Sequence, residues 1–109
     1  MQIPLQITFH GMAHSDAIEQ RVRDKAAKLE RFHSRITSCR VVVEVPHRHH
    51  HKGKLFSVRI DLTVPGGELV VNRDSDSNHA HEDVYVAIRD AFDAATRQLE
   101  DYTRKQAGL

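Results

Sequence analysis

The chain has 109 residues, 39% hydrophobic and 28% charged, with a formal net charge of +1 at neutral pH. That is enough chain for one core and too apolar a balance for intrinsic disorder, so residues 1–109 read as a single domain. No apolar run approaches the roughly 20 residues that span a bilayer, and Cys39, the only cysteine, excludes an internal disulfide.

The opening MQIPLQITF lacks a basic start followed by a long apolar segment, so it does not read as a secretory signal. With one cysteine, a reducing, cytoplasmic location is expected. Because the net charge is small, a nucleic-acid surface would have to come from local clustering. Nine histidines would add positive charge below about pH 6.5.

Gln2–Phe9 alternates, with Ile3, Leu5, Ile7 and Phe9 on one face, and predicts a half-buried strand that Pro4 places at a sheet edge. Gly11 breaks it, and Ser15 or Asp16 offers a helix N-cap. Ile18, Val22, Ala26, Leu29, Phe32 and Ile36 then recur at the spacing of one helical face, predicting a helix to about Ser34. Beside that face Arg21, Lys28 and Arg35 recur every seven residues, and Lys25 lies between the row and the stripe, its methylenes able to cover core. Glu19 and Glu30 fall on the opposite flank. From this helix alone, a solvated surface and a line of cations for an anionic partner both remain open.

Thr37–Val45 predicts a second strand, with Cys39, Val41, Val43 and Val45 facing one way. Nothing nearby would lower the Cys39 pKa, which makes it a small core residue and not a nucleophile. Lys54–Val64 predicts a third strand, with Phe56, Val58, Ile60, Leu62 and Val64 inward and Ser57, Arg59, Asp61 and Thr63 outward. Pro65-Gly66-Gly67 signals a tight turn, from which Glu68–Arg73 returns as a fourth strand. After a polar loop, Glu82–Lys105 predicts a second amphipathic helix, with Val84, Ile88, Ala91, Phe92, Ala95, Leu99 and Tyr102 inward.

The order is β-α-β-β-β-α. The first strand–helix–strand unit implies a parallel pair with a right-handed crossover, and both helices need apolar cover. The expected fold is an α+β two-layer sandwich, a four-stranded sheet with two helices packed on one face.

Chemical motifs are few. His47-Arg48-His49-His50-His51-Lys52 could line up three imidazoles for zinc, nickel or copper, but no acidic or thiol ligand accompanies them. A basic hairpin tip that meets phosphate and a plain solvated loop are the other readings. Asp74–Asn78 starts like a calcium loop but has His79 and Tyr85 where glycine and glutamate are required. His81-Glu82-Asp83-Val84-Tyr85 starts like a zinc-protease helix but lacks the second histidine. No glycine-rich phosphate loop and no serine or cysteine beside a plausible base is present, so no enzyme, catalytic residue, cofactor or metal is assigned.

His81-Glu82-Asp83-Val84-Tyr85-Val86-Ala87-Ile88, followed by Arg97-Gln98-Leu99, resembles the C-terminal helix of the ribosome hibernation-promoting factors, the family that includes the ribosome-associated inhibitor A proteins. Lys25, Ala27-Lys28-Leu29-Glu30 and Arg35-Ile36 fall on the family's K-x-AKLE-x(4)-RI pattern, and Pro65-Gly66-Gly67 with Leu69-Val70 resembles its hairpin. The resemblance spans essentially the whole chain. It departs at Ala94, where a lysine is common, and in the histidine-rich tip and the length of Asp74–Ala80. The chain stops soon after the second helix and so resembles the short form.

The resemblance implies a cytoplasmic protein that binds the 30S subunit and the 70S ribosome against 16S rRNA, in the mRNA channel and A- and P-site region. It would block translation and protect idle ribosomes, with short forms favouring paired 100S ribosomes alongside a separate ribosome modulation factor. By family match, Lys25, Lys28, Arg35 and Arg97 are the rRNA contacts. Arg21 is added by geometry, Arg104 by its seven-residue spacing from Arg97, and Arg89 and Lys105 by proximity. Tyr85 could stack on a base or close the core edge. The alternatives are a general double-stranded RNA-binding module, disfavoured by the acidic start of the last helix, and a histidine-loop metal carrier.

Overall fold

A computed structural model of the chain describes residues 3–45, 56–73 and 83–107. The elements are β1 (Leu5–His10), α1 (Asp16–Phe32), β2 (Ser38–Glu44), β3 (Ser57–Val64), β4 (Gly67–Arg73) and α2 (Val84–Ala107). The sheet runs β1-β2-β3-β4, with β1 and β2 parallel and the other pairs antiparallel. This is the expected α+β sandwich. β1 is an edge strand, as Pro4 suggested, and the carbonyl of Pro4 accepts from the Cys39 N–H at 3.0 Å.

Alternation fixes which face is buried. Ile7, Val41, Ile60 and Val71 lie opposite one another across all four strands, and Leu5, Cys39, Leu62 and Leu69 form the next inward row. A slip of one residue in any strand would turn these rows toward water. α1 packs on β1, α2 packs on β3 and β4, and the helices meet each other. Val22, Ala26, Ile88, Ala91 and Ala95 bury the two helical stripes against these rows. Each fully buried branched side chain contributes roughly 1.5–3 kcal/mol of apolar burial.

Local chemistry sets the ends. Ser15 caps α1, its Oγ accepting from the Ile18 N–H at 3.2 Å. Asp16, the alternative cap, instead contacts His14 Nε2 at 2.8 Å. At the start of α2, Asp83 accepts from the Tyr85 N–H through its carboxylate at 2.9 Å, and its carbonyl accepts from Ala87 at 3.1 Å. Gly66 turns the β3–β4 hairpin with φ 87°, and the Tyr102 hydroxyl donates to the Pro65 carbonyl at 2.6 Å.

Four expectations need correction. α1 stops at Phe32, where the His33 N–H bonds back to the carbonyls of Leu29 and Glu30 at 2.9 and 3.3 Å, so Arg35 lies beyond the helix. Phe32, assigned to the apolar stripe, is 68% exposed, because it falls on the helix flank with Lys25 and Lys28, off the stripe centre held by Leu29. Ile36 reaches the core from the following turn instead. Ser57 keeps the outward phase of Arg59 and Asp61, opposite Glu44, but it is buried where β3 begins and not exposed as expected. Ile3 precedes β1; its N–H donates to Glu30 Oε1 at 3.1 Å, so the flank carboxylate of α1 ties down the incoming chain.

Candidate nucleic-acid interface

Where α1 and α2 run side by side, their outer flanks leave a groove of about 570 Å³. Residues three and four apart share a helical face. Accordingly Lys25, Lys28, Leu29 and Phe32 line one wall, and Phe92, Asp93, Thr96, Arg97 and Glu100 the other. The floor is apolar, from Leu29 and Phe92, and the rim is charged. The Thr96 hydroxyl is held to the Phe92 carbonyl at 2.8 Å.

The predicted contacts divide into two groups. Lys25, Lys28 and Arg97 come together on the groove, Lys25 half-buried and the other two exposed. Arg35 lines an adjoining recess of about 180 Å³ with Ile36, Val64, Leu99 and Tyr102, separated from the groove by Phe32 and His33. Among the described residues these four cations form no ion pair. Their charges are therefore available to an anion.

The remaining cations are engaged or remote. Arg21 sits with its guanidinium 4.6 Å from the Tyr85 ring centroid, a cation–π contact that ties α1 to α2. Tyr85 is half-buried and packs on the core, which is the edge-closing role. Arg89 pairs with Asp90 at 3.1 Å and Arg104 with Asp101 at 2.8 Å. Lys105 is exposed in the last turn of α2, outside the groove lining. Ala94 is buried, so the position where a lysine is common does not face the groove.

The sequence reading missed Asp93 and Glu100, two carboxylates that share the groove with three cations. Their spacing from Arg97, four before and three after, was the available signal. It also missed Phe32 and His33 as surface residues. The opposite face of the sheet is balanced: Arg59 pairs with Asp61 at 3.0 Å, and Arg40 lies across from Asp61 in register.

Cys39 is buried, and desolvation, assisted by the charge of Asp61, pushes its thiol from an ordinary 9.0 up to about 12. His47–His51, Asp74–Asn78 and the start of the His81–Tyr85 motif lie outside the described residues. Among the described residues, no group of three or more histidines, cysteines or carboxylates could hold a metal, and no helix is long and apolar enough to cross a membrane.

Residues 5–107 match the family described as sigma 54 modulation protein / S30EA ribosomal protein. The chain belongs to this family. Its relatives include a ribosome hibernation promoting factor of Azotobacter vinelandii, 34% identical over 94% of this chain and 84% of that protein. Another, from Pseudomonas putida, is 35% identical over 81% of this chain and 74% of that protein. The fold of the family recurs in a ribosomal subunit interface protein from Coxiella burnetii, with a TM-score of 0.75 at 17% identity, covering 94% of this chain and 99% of that one. It recurs too in the N-terminal domain of Thermus thermophilus Protein Y, with a TM-score of 0.69 at 24% identity over 94% and 99%. At these identities the two structures speak for the fold alone.

Proposed function

We propose that this chain is a ribosome hibernation factor that docks on the 30S subunit, in the mRNA channel and A- and P-site region, through the groove between α1 and α2. The observation that carries the reading is the convergence of Lys25, Lys28 and Arg97, from two different helices, on one groove where none of them forms an ion pair among the described residues. Cations spaced along a groove suit the phosphates of 16S rRNA, and such contacts position a protein without reading sequence. Arg35 extends the row. Arg21, Arg89, Arg104 and Lys105 are secondary contacts, since three of them already hold an aromatic or acidic neighbour. Occupying the channel inhibits translation and shelters the idle 70S ribosome. Pairing of ribosomes into 100S particles, with a separate modulation factor, belongs to the same proposal, as does a cytoplasmic location.

Family membership and the names of the relatives support hibernation over a general duplex-RNA module. So does Asp83, an acid at the start of α2 where a duplex binder would place lysines. Co-sedimentation with 30S, 50S and 70S particles over a salt series tests the proposal. Retention on 30S and 70S that weakens as salt rises is expected; absence from every particle at low salt overturns it.

A further inference from the structure

Phe32 stands apart from the rest of the apolar surface. It is 68% exposed, and among the described residues the only other exposed large hydrophobic side chain is Val70, which lies on the opposite face of the sheet. With His33, Phe32 forms the ridge between the Lys25–Lys28–Arg97 groove and the Arg35 recess. The Arg31 guanidinium sits over the ring, 6.0 Å from its centroid. The ring thus projects between Lys28 and Arg97 on one side and Arg35 on the other, none of which forms an ion pair among the described residues.

We propose that Phe32 is a stacking platform for one unpaired nucleobase of the bound RNA. Lys28 and Arg97 hold phosphate on one side of that nucleotide and Arg35 holds it on the other. The inference rests on the rRNA-binding reading and adds the kind of RNA recognised: a loop, bulge or single strand whose base can leave its own stack. A paired base in an A-form duplex has no free face to offer, whereas a splayed base seeks an aromatic or guanidinium plane. Arg31 supplies that plane beside the ring, so base, phenyl and guanidinium can stack in succession.

An apolar protein partner suits the site less well. A protein-docking patch is contiguous, and Phe32 is instead flanked by Lys28, Arg31, Arg35 and Arg97, which such a partner would have to desolvate. A nucleotide needs both components together, a flat apolar face and cations on either side.

The chain has no tryptophan, so Phe32→Trp places a single emission probe on the ridge. It is compared with Phe32→Leu and the unaltered protein in 30S binding at several salt concentrations. The ring is exposed, so both variants should fold, with unfolding curves as the check. Phe32→Trp should bind 30S as the parent does, with its emission quenched on binding. Phe32→Leu should lose roughly 5- to 150-fold in affinity, the range for one base–aromatic stack, with an unchanged salt slope because no phosphate contact is removed. A leucine variant that binds as well as the parent overturns the stacking role. So does tryptophan emission that shifts to the blue without quenching, as in an apolar protein contact. Failure of the unaltered protein to bind 30S overturns the functional reading itself, a distinguishable result.

Discussion

The triple variant Lys25→Gln/Lys28→Gln/Arg97→Gln removes the three cations that share the groove. None forms an ion pair among the described residues, so no carboxylate is left stranded. Lys28 and Arg97 are exposed, and Lys25 keeps part of its stem as glutamine, so each change should alter stability by no more than about 0.5 kcal/mol. Binding should change far more. Each phosphate neutralised contributes about 0.7–0.9 to the slope of log affinity against log salt. At about 0.1 M salt that is roughly five- to eightfold per contact, so the triple variant should lose ~100- to 500-fold in 30S affinity and about 2–3 units of slope. Sedimentation or filter binding between about 50 and 500 mM salt reads both quantities, with urea unfolding as the control for fold. Arg89→Gln/Arg104→Gln serves as the comparison, because those guanidiniums are already paired at 3.1 and 2.8 Å and should shift the slope less. A folded triple variant with the parent's slope would refute the groove as the phosphate-binding surface.

Asp93→Asn/Glu100→Gln removes the two carboxylates from the groove and should tighten 30S binding about two- to fivefold, measured in the same salt series. Cys39 should resist iodoacetamide in the folded protein and react only on unfolding. Its thiol ionises near an ordinary 9.0 when unfolded and about 12 when folded, so stability should be intact below pH 9 and fall by up to ~1.4 kcal/mol per pH unit above it, a loss that Cys39→Ala removes. Tyr102→Phe deletes the 2.6 Å bond to the Pro65 carbonyl and should cost about 0.5–1.5 kcal/mol by thermal melting. Gly66→Ala should cost about 1–2 kcal/mol, since φ is 87° and the new Cβ would lie 3.2 Å from the Tyr102 hydroxyl oxygen.

The sheet was legible because period-two alternation has one solution for a single buried face: Val41, Val43, Ile60 and Leu62 could only point inward. Helix phase was equally clear for Val22, Ala26, Ile88 and Ala95. The end of α1 was not, because apolar residues continue at helical spacing through Phe32 to Ile36 although the backbone leaves the helix after Phe32. Periodicity records which residues are apolar, not where the hydrogen-bond ladder stops. Charge pairing was legible in part. Arg104 has Asp101 three residues before it and pairs with it, but Arg97 has Asp93 and Glu100 at comparable spacings and pairs with neither. Spacing permits an ion pair; rotamer and the neighbouring helix decide whether it forms.

The arrangement of charge also bears on how the protein would reach its target. A net charge of +1 gives little long-range attraction, and on the other face of the sheet the Arg59 charge is paired with Asp61. Among the described residues, Lys25, Lys28 and Arg97 come together beside the apolar side chains of Leu29 and Phe92. Apolar walls lower the local dielectric, so cations there act more strongly on a phosphate at contact than the same charges on an open surface. Asp93 and Glu100 offset part of that attraction at the same place. Under the proposed reading, such a surface would favour a partner whose phosphates fit the spacing of two helices. If the groove docks on RNA as proposed, affinity depends on several shape-matched contacts formed together.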